Sequence, residues 1–283
     1  MGDQNDVRVS VIIPCFNDGQ FIKEALASVE VYPDLIYEII IVNDGSTDPV
    51  TCQVFDELRG KGYKVIDQPN QGLSAARNTG IKLARGEYIL PLDSDNCIRP
   101  AYIYKGIEIL DKFSDVAVVY GDVERFGEGI DDLQKIPGFN LSYEDVSFVN
   151  GFRGVQKVPD FNLSWLVNHN YIDACAVFRK SVWEECGPYD MNMPFGCYED
   201  WDFWLSVAKK GYKFHHVPEV LFDYRVRPIS LSTAARSEEK SKVVCRYIAS
   251  KHAALFPKEY RSYFKFYRGW LRIQQKSHLI FRG

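Results

Sequence analysis

The sequence predicts an α/β protein built on a mostly parallel sheet with helices on both faces. Over the first 123 residues, short and almost continuously apolar runs alternate with segments whose apolar residues recur at helical spacing. Such runs are typical of strands that are buried on both faces, as parallel strands are. With 283 residues and 46% hydrophobic content, the chain is long enough to bury one substantial core.

Five strands and three helices are predicted in this part of the chain. The strands are the apolar runs at 8–14, 37–46, 63–68, 87–93 and 115–123. The first helix follows from the helical spacing of Ile22, Ala25, Leu26 and Val29. The second helix spans 74–86 and is expected to end at Gly86, and the third is expected to start at Pro100.

Composition and charge argue against several classes of function. The formal net charge is -4, which gives no bulk attraction to nucleic acid. The first six residues are polar, and no apolar run approaches the roughly 18 residues that a membrane span requires. The seven cysteines are scattered without a CxxC pair, which indicates free thiols in a reducing compartment. We therefore expect a soluble, cytoplasmic protein that binds no nucleic acid.

Two carboxylates stand one residue apart at the end of the fourth strand, in the stretch YILPLDSDN. Asp93 and Asp95 would repel each other there, and a divalent cation between them is the simplest explanation. A turn closed by the two aspartates is the alternative. In parallel sheets, ligands bind at the carboxyl ends of the strands. The patterns GxGxxG and GxxxxGK[ST] are absent, which favours a nucleotide whose phosphates are held by a cation rather than by a glycine loop.

Five segments occur in the order and approximate spacing of a known family. They are VSVIIPCFND, EIIIVNDGSTD, QGLSAARNTGI, GEYILPLDSDN and YEDWDFWL. Together they cover residues 9 to 232, and they resemble the family 2 glycosyltransferases with the GT-A fold. The resemblance implies a Rossmann-like, mostly parallel sheet flanked by helices, with a C-terminal helical extension. It also implies transfer of a sugar from a nucleotide diphosphate donor, with a UDP-sugar favoured, to an acceptor hydroxyl with inversion.

The resemblance assigns the carboxylate pair to the donor. Asp95 would ligate Mn²⁺ or Mg²⁺, and Asp93 would contact the ribose and help to position the ion. Ser94, between them, would lie next to the nucleotide. The cation would act as a Lewis acid where negative charge develops on the departing diphosphate.

Four further residues are assigned to the nucleotide by the same resemblance. Asp44 would accept the imide N–H of uracil, and Arg77 would contact the base or the ribose. Pro14 and Phe16 would form the wall beside the base. Simpler interpretations stay open, because NDGS is a strong turn sequence, Phe16 is also a plausible core residue, and a helical arginine often faces solvent.

The acceptor side is predicted at the acidic start of a helix in YEDWDFWLSVAKKGY. Apolar residues recur at helical spacing from Trp201, so the helix is expected to begin near Glu199. The resemblance implies that Asp200 is the base that deprotonates the acceptor hydroxyl. Glu199 would hold a sugar hydroxyl or orient the loop, and Trp201 would belong to the same subsite. Acidic residues also stabilise a helix N-terminus through its dipole, which is the alternative role for this cluster.

The stretch FDYRVRPISLS departs from the family pattern, which frequently has histidine where this chain has Arg227. Arginine does not ligate a metal, but its fork can hydrogen-bond a diphosphate. Arg227, and with it Arg225, is therefore assigned to the leaving group. Ordinary surface arginines are the alternative.

Three parts of the chain are distinguished: a nucleotide-sugar half at 1–123, an acceptor and base half at 124–235, and a helical tail at 236–283.

Residues 124–164 show no clear pattern, and a lid over the donor is predicted there, with disorder as the alternative. The segment 256–283 contains seven Lys and Arg residues and one Glu, and it is amphipathic with an aromatic face. It is predicted to lie on an anionic membrane surface or to dock on the domain or a second subunit.

The hypothesis is a metal-dependent, non-processive glycosyltransferase of bacterial-type surface polysaccharide or glycoconjugate synthesis, with a glycan or lipid-linked acceptor. The QxxRW motif of processive members is missing, which favours single additions. A sugar-1-phosphate nucleotidyltransferase is one alternative, but it needs a glycine-rich loop where this chain has PCFNDG. A non-catalytic subunit that binds a nucleotide-sugar or a glycan is the other, but it would have no need to keep both DSD and ED. The sequence indicates no oligomeric state.

Overall fold

A computed structural model describes residues 7–32, 36–128, 142–148, 151–228 and 238–256. These residues form a ten-stranded sheet with helices on both faces. The strands are β1 (Val9–Cys15), β2 (Tyr37–Asp44), β3 (Lys64–Gln68), β4 (Tyr88–Pro91), β5 (Cys97–Ile98), β6 (Val116–Phe126), β7 (Ser142–Phe148), β8 (Gly151–Gln156), β9 (Val177–Arg179) and β10 (Lys213–Arg225). The helices are α1 (Gly19–Val29), α2 (Pro49–Gly60), α3 (Leu73–Leu83), α4 (Tyr102–Lys112), α5 (Leu163–Asn168), α6 (Lys180–Cys186), α7 (Glu199–Lys209) and α8 (Glu238–Lys251).

Most strands of the main sheet run in the same direction. Their order is β3-β2-β1-β4-β9-β6-β10-β5. The pairs β1–β2, β1–β4, β2–β3 and β6–β10 are parallel. The short strand β9 lies antiparallel between β4 and β6, so these two strands also share a direction. The prediction of a mostly parallel sheet is confirmed, whereas β9 was not predicted because its three residues are too few to show a pattern.

Alternate residues of the buried strands supply two cores, one on each face of the sheet. In β1, Val11 and Ile13 pack in the core that contains residues of α1, α2 and α4. Ile12 packs in the opposite core with residues of α3, α7 and α8. All seven residues of β1 are buried. The loops at its carboxyl end therefore start from a strand that is held on both sides.

Helix α3 lies close to the sheet because it contains a glycine. A Cβ at Gly80 would overlap the side chain of Ile12 in β1. The helix ends at Leu83 and not at the predicted Gly86. Gly86 lies instead against β1, where a Cβ would stand 2.6 Å from the backbone nitrogen of Ser10. The close approach of α3 sets the position of Arg77, which this helix carries.

The first half of the chain contains one helix that was not predicted. Asp48 caps α2 by accepting a hydrogen bond from the backbone N–H of Thr51, and Pro49 occupies the first turn. Both are ordinary start signals for a helix. Several predicted boundaries also differ by a few residues; for example, α4 begins at Tyr102 and β6 continues to Phe126.

The segment 124–164, predicted to be irregular, contains a β-hairpin in its described part. β7 pairs with β8, and β8 pairs antiparallel with the end of β6. The described part of the segment therefore extends the sheet, which corrects the prediction that the segment is irregular, while the lid stays a prediction. Residues 129–141 and 149–150 lie outside the described part of the chain.

The last described helix packs on the main body. Val244 and Ile248 of α8 are buried in the core that also contains Trp204 of α7. The predicted helical extension is thus present as far as Lys251. Residues 257–283, on which the amphipathic prediction depends, lie outside the described residues. Within the described ranges, no helix has the length and apolar character needed to cross a bilayer.

Candidate active site

A cavity of about 820 Å³ opens at the carboxyl ends of β1, β2 and β4 and extends to the N-terminus of α7. All of the predicted site residues except Trp201 and Arg225 line it. They are Pro14, Phe16, Asp44, Arg77, Asp93, Ser94, Asp95, Glu199, Asp200 and Arg227. The fold thus brings residues from both halves of the chain to one cavity.

The loops that follow β1 and β2 are joined by Asn17. Its Oδ1 accepts hydrogen bonds from the backbone nitrogens of Thr47 and Asp48, at 2.8 and 2.9 Å. Asn17 has a φ of 55°, in the left-handed region that asparagine tolerates. The neighbouring Phe16 is 47% exposed on this wall, so it is not a core residue.

Asp44 is buried at the end of β2 and organises the loop before α3. Its Oδ1 accepts from Gln68 Nε2 at 2.7 Å and from the backbone N–H of Gln71 at 2.9 Å. Its Oδ2 accepts from the backbone N–H of Gly72 at 2.8 Å. Each carboxylate oxygen has about two acceptor sites, so Oδ2 keeps room for one donor from the cavity.

The loop that carries Asp93, Ser94 and Asp95 is held by β10. The Nε of Arg225 donates to the backbone oxygen of Asp95 at 3.0 Å, and the backbone N–H of Arg225 donates to Asn96 Oδ1 at 2.8 Å. Arg225 does not line the cavity. The structure therefore gives it a supporting position under the loop, which corrects its assignment to the diphosphate.

Arg77 lies buried between two carboxylates that are far apart in the sequence. Its side chain is 1% exposed, and it pairs with Asp93 Oδ1 at 2.5 Å and with Glu199. Glu199 is itself buried at the start of α7. The pair of contacts joins the end of β4 to the N-terminus of α7. Arg77 is therefore an internal link between the two sides of the cavity, and the solvent-facing alternative is excluded.

Asp95 carries a raised pKa. Burial is the main cause, the charge of Asp93 adds to it, and Arg227 opposes it, so that the pKa is about 7. The Nε of Arg227 lies 3.0 Å from Asp95 Oδ2. Both terminal nitrogens of Arg227 also donate to the carboxylate of Asp18, at 2.7 Å each. Arg227 thus supplies the nearest positive charge to Asp95 that the described residues show.

Asp200 and Glu199 are the two first-turn carboxylates of α7 that line the cavity. Oδ1 of Asp200 accepts hydrogen bonds from Asn170 Nδ2 at 3.1 Å and from the next backbone N–H at 2.8 Å. Burial raises the pKa of Asp200 from 3.8 to about 8, with further contributions from the charges of Glu199 and Asp173, while Arg77 opposes the shift. A carboxyl with a pKa near neutral is suited to proton transfer at physiological pH.

Trp201 is a packing residue. Its side chain is buried, and its indole N–H donates to the backbone oxygen of Leu166 at 2.6 Å. It does not reach the cavity. The structure therefore corrects the assignment of Trp201 to the acceptor subsite.

The cavity is also lined by polar residues that the sequence did not single out, among them Asp18, Asn170 and Asp173. Asp18 stands in the polar loop after the first strand, which is a position where ligand contacts are expected. Asn170 and Asp173 lie in the connection between α5 and β9. Burial raises the pKa of Asp173, and the charge of Asp93 adds to the effect.

The protein ligands for a cation are few. Among the described residues there is no group of three or more His, Cys, Asp or Glu side chains that could hold an ion. Asp93 and Asp95 alone leave most coordination positions of Mg²⁺ or Mn²⁺ open. Such ions commonly use one or two carboxylates together with water and substrate phosphates.

The sequence matches a known family over more than half of its length. The model for "Glycosyl transferase family 2" matches residues 10–187. The uncharacterized glycosyltransferase YwdF of Bacillus subtilis is 27% identical over 251 residues, 87% of this chain and 84% of YwdF. The glycosyltransferase GlyA of Streptococcus pneumoniae is 37% identical over 128 residues, 44% of this chain and 18% of GlyA. The uncharacterized protein y4gI of Sinorhizobium fredii is 26% identical over 259 residues, 89% of this chain and 26% of y4gI, so the chain spans about a quarter of that relative.

Solved structures of S. aureus TarS 1–349 share the fold. The complex of TarS with UDP-GlcNAc has a TM-score of 0.63 and 20% identity, over 92% of this chain and 73% of the TarS chain. Another TarS 1–349 structure has a TM-score of 0.60 at 19% identity. At this identity the likeness concerns the fold alone, and it confirms the predicted GT-A architecture. With the family match over most of the sequence, the chain belongs to the family 2 glycosyltransferases and is a glycosyltransferase.

Proposed function

We propose that the chain transfers a sugar from a UDP-sugar to a hydroxyl of a glycan or lipid-linked acceptor, one sugar at a time and with inversion. Asp200 acts as the base, and Asp93 and Asp95 hold a divalent cation at the diphosphate. One observation carries the proposal. A single cavity contains a carboxylate pair at the end of β4 and, on the far side of Arg77, a separate carboxyl with a pKa of about 8.

The base role of Asp200 follows from what an acceptor hydroxyl requires. A hydroxyl is a weak nucleophile until a positioned group takes its proton in the transition state. Two hydrogen bonds hold Oδ1 of Asp200, and no bond to Oδ2 is found among the described residues. Oδ2 is thus the oxygen that receives the proton. Direct attack by the acceptor, opposite the departing diphosphate, inverts the anomeric carbon.

The preference for uridine has two supports. Asp44 keeps one acceptor position on Oδ2, which suits the imide N–H of uracil. The structural neighbour TarS has been solved with UDP and with UDP-GlcNAc. Phe16 and Pro14 line the same cavity and would offer an apolar wall for the base.

The carboxylate pair fits Mn²⁺ or Mg²⁺. Its donors are the hard carboxylate oxygens that these ions prefer. Burial and the charge of Asp93 raise the pKa of Asp95 to about 7, and a cation next to both would offset that repulsion. When bound, the ion supplies Lewis-acid stabilisation of the departing diphosphate. Because the described residues offer no group of three or more candidate ligands, we expect the ion and the donor to bind together, with Arg227 as a second positive group for the diphosphate.

The setting of the reaction belongs to the same proposal. All seven cysteines lie in described residues and carry free thiols, which supports a reducing compartment such as the cytoplasm. We propose a role in surface polysaccharide or glycoconjugate synthesis. The basic segment 257–283 would bring the enzyme to a membrane face that carries lipid-linked acceptors.

We also keep the proposed division of the chain into a nucleotide-sugar half at 1–123, an acceptor and base half at 124–235, and a tail at 236–283.

The direct test measures UDP release from UDP-sugars in the presence of Mn²⁺, with and without simple glycosides as acceptors. We expect Asp200→Asn to lower kcat by about a hundredfold to ten-thousandfold, because it removes the base. The affinity for the donor should stay close to that of the wild type. Asp56→Asn, at an exposed aspartate of α2, is the matched control. Full turnover in Asp200→Asn would remove Asp200 from the role of base.

A further inference from the structure

We propose that Lys251 of α8 is a positioning residue that fastens both ends of the segment 190–202, which carries Glu199 and Asp200. The Nζ of Lys251 donates to Asp190 Oδ2 at 2.5 Å and to Asp202 Oδ2 at 2.8 Å. One ammonium group therefore joins the start of this segment to its end. The importance of this contact for transfer rests on the proposed function of Asp200.

Tyr247 of α8 and His252, the residue after this helix, complete the contact on both aspartates. Tyr247 donates from its hydroxyl to Asp190 Oδ2 at 2.7 Å. The Nε2 of His252 lies 2.7 Å from Asp202 Oδ1, and both of these side chains are only 3% exposed. The side chain of Lys251 is 37% exposed, whereas the carboxylates of Asp190 and Asp202 are 10% and 3% exposed. Hydrogen bonds between an ammonium group and carboxylates are charge-assisted, and each of these two carboxylates has a second partner besides Lys251.

The segment needs an external support because its backbone is strained. Phe195 and Tyr198 have φ values of 61° and 66°, and neither is a glycine. Such conformations are uncommon and persist only when the surrounding structure holds them. Tyr198 also occupies the N-cap position of α7 without a side-chain cap hydrogen bond, whereas a Ser, Thr, Asp or Asn would supply one. The start of α7 therefore lacks a side-chain cap, and the acidic residues of its first turn are its local support.

Asp200 depends on that starting point. Asp200 is the second residue of α7. Asp202, which Lys251 holds, is the fourth residue and lies in the same first turn. On the opposite side, Arg77 holds Glu199. The base is therefore held between Arg77 from α3 and Lys251 from α8. Displacements of about 1 Å at a reacting group can cost on the order of a hundredfold in rate.

The test compares the full chain with Lys251→Met, which keeps the length of the side chain and removes its charge. Hydrogen exchange is followed by mass spectrometry in peptides that cover residues 191–201. We expect exchange on the order of tenfold faster in Lys251→Met, because the segment opens more often when its ends are released. Lys251→Arg should restore slow exchange. Lys209→Met, at an exposed lysine in the last turn of α7, is the matched control.

Turnover is then measured as UDP release from UDP-GlcNAc with Mn²⁺. We expect kcat of Lys251→Met to fall about tenfold or more while the donor affinity is unchanged, since the donor side is not touched. Unchanged exchange in residues 191–201 overturns the proposal, and so does faster exchange with unchanged kcat. Absent turnover in the wild type would count against the proposed function alone, because the exchange comparison needs no substrate. If Lys251→Met does not fold, Asp190→Asn removes the same ion pair and takes its place.

Discussion

Asp200, the proposed base, carries a raised pKa that has a cost to the stability of the fold. Its pKa is raised to about 8, chiefly by burial, with added repulsion from Glu199 and Asp173. Between its ordinary pKa of 3.8 and about 8, the folded protein holds a proton on this carboxyl that the unfolded chain releases. Stability therefore falls as the pH rises through that window.

We predict that Asp200→Asn stabilises the protein, and that the gain grows with pH. An amide has no charge to bury, so the variant does not lose the stability that the wild type loses as the pH rises from 4 to 8. The difference in unfolding free energy should grow by up to about 1.4 kcal/mol per pH unit in this range. Urea unfolding of both proteins at several pH values measures it. A constant difference across the range would mean that the pKa of Asp200 is not raised.

A second prediction at this scale concerns Asp173. Its negative charge helps to raise the pKa of Asp200, so Asp173→Asn should lower that pKa. The acid limb of kcat/KM, which reports the base in the free enzyme, should move to lower pH in the variant. The pH profile of UDP release checks this. A limb that stays in place would show that a different group controls it.

At the scale of elements, helix α3 positions Arg77 through its close contact with the sheet. Gly80→Ala would normally favour a helix by about 1 kcal/mol. Here the new Cβ overlaps the side chain of Ile12, so we predict a loss of about 1–3 kcal/mol in the free energy of unfolding. Gly60→Ala at the end of α2, where a Cβ meets nothing within 4 Å, is the control and should be neutral or stabilising. Equal effects of the two changes in urea unfolding would contradict the packing argument.

The strands and the site loops were predictable because their signals are local. Buried parallel strands have continuous apolar runs, and the polar residues that follow them mark the ligand edge. The hairpin of β7 and β8 was missed because it has no such run, and β9 because it has only three residues. The start of α7 was predicted near Glu199 and is found at Glu199.

The partners of individual side chains were not predictable, because they come from distant parts of the chain. Arg77 meets Glu199 across 122 residues of sequence. Arg225 reaches the backbone of Asp95 instead of the cavity, and Trp201 turns into the core. A family pattern fixes residue types and spacing, whereas the direction of a side chain depends on which neighbours pack around it.

At the scale of the whole molecule, the fold places the proposed donor side and the proposed acceptor side on one cavity, and Arg77 links them. The proposed donor side is built from the strand ends of the first half, and the proposed acceptor side from the start of α7. This arrangement explains why the two carboxyl groups, Asp95 and Asp200, differ in surroundings and in proposed role. Asp95 faces Asp93 and Arg227, which suits a cation and a diphosphate, whereas Asp200 lies beside Glu199 and Asn170.

The most direct test of the account is the thermal stability of the protein with nucleotides and metal. The melting temperature is measured with UDP, GDP, CMP and dTDP, each with Mn²⁺ and with EDTA, for the wild type and for Asp95→Ala. A ligand at one hundred times its Kd adds about 2.7 kcal/mol of stability. We predict that UDP with Mn²⁺ raises the melting temperature, and that EDTA or Asp95→Ala removes the rise. Equal stabilisation by UDP in EDTA would contradict the role of the cation, and no stabilisation by any nucleotide would contradict the nucleotide site itself.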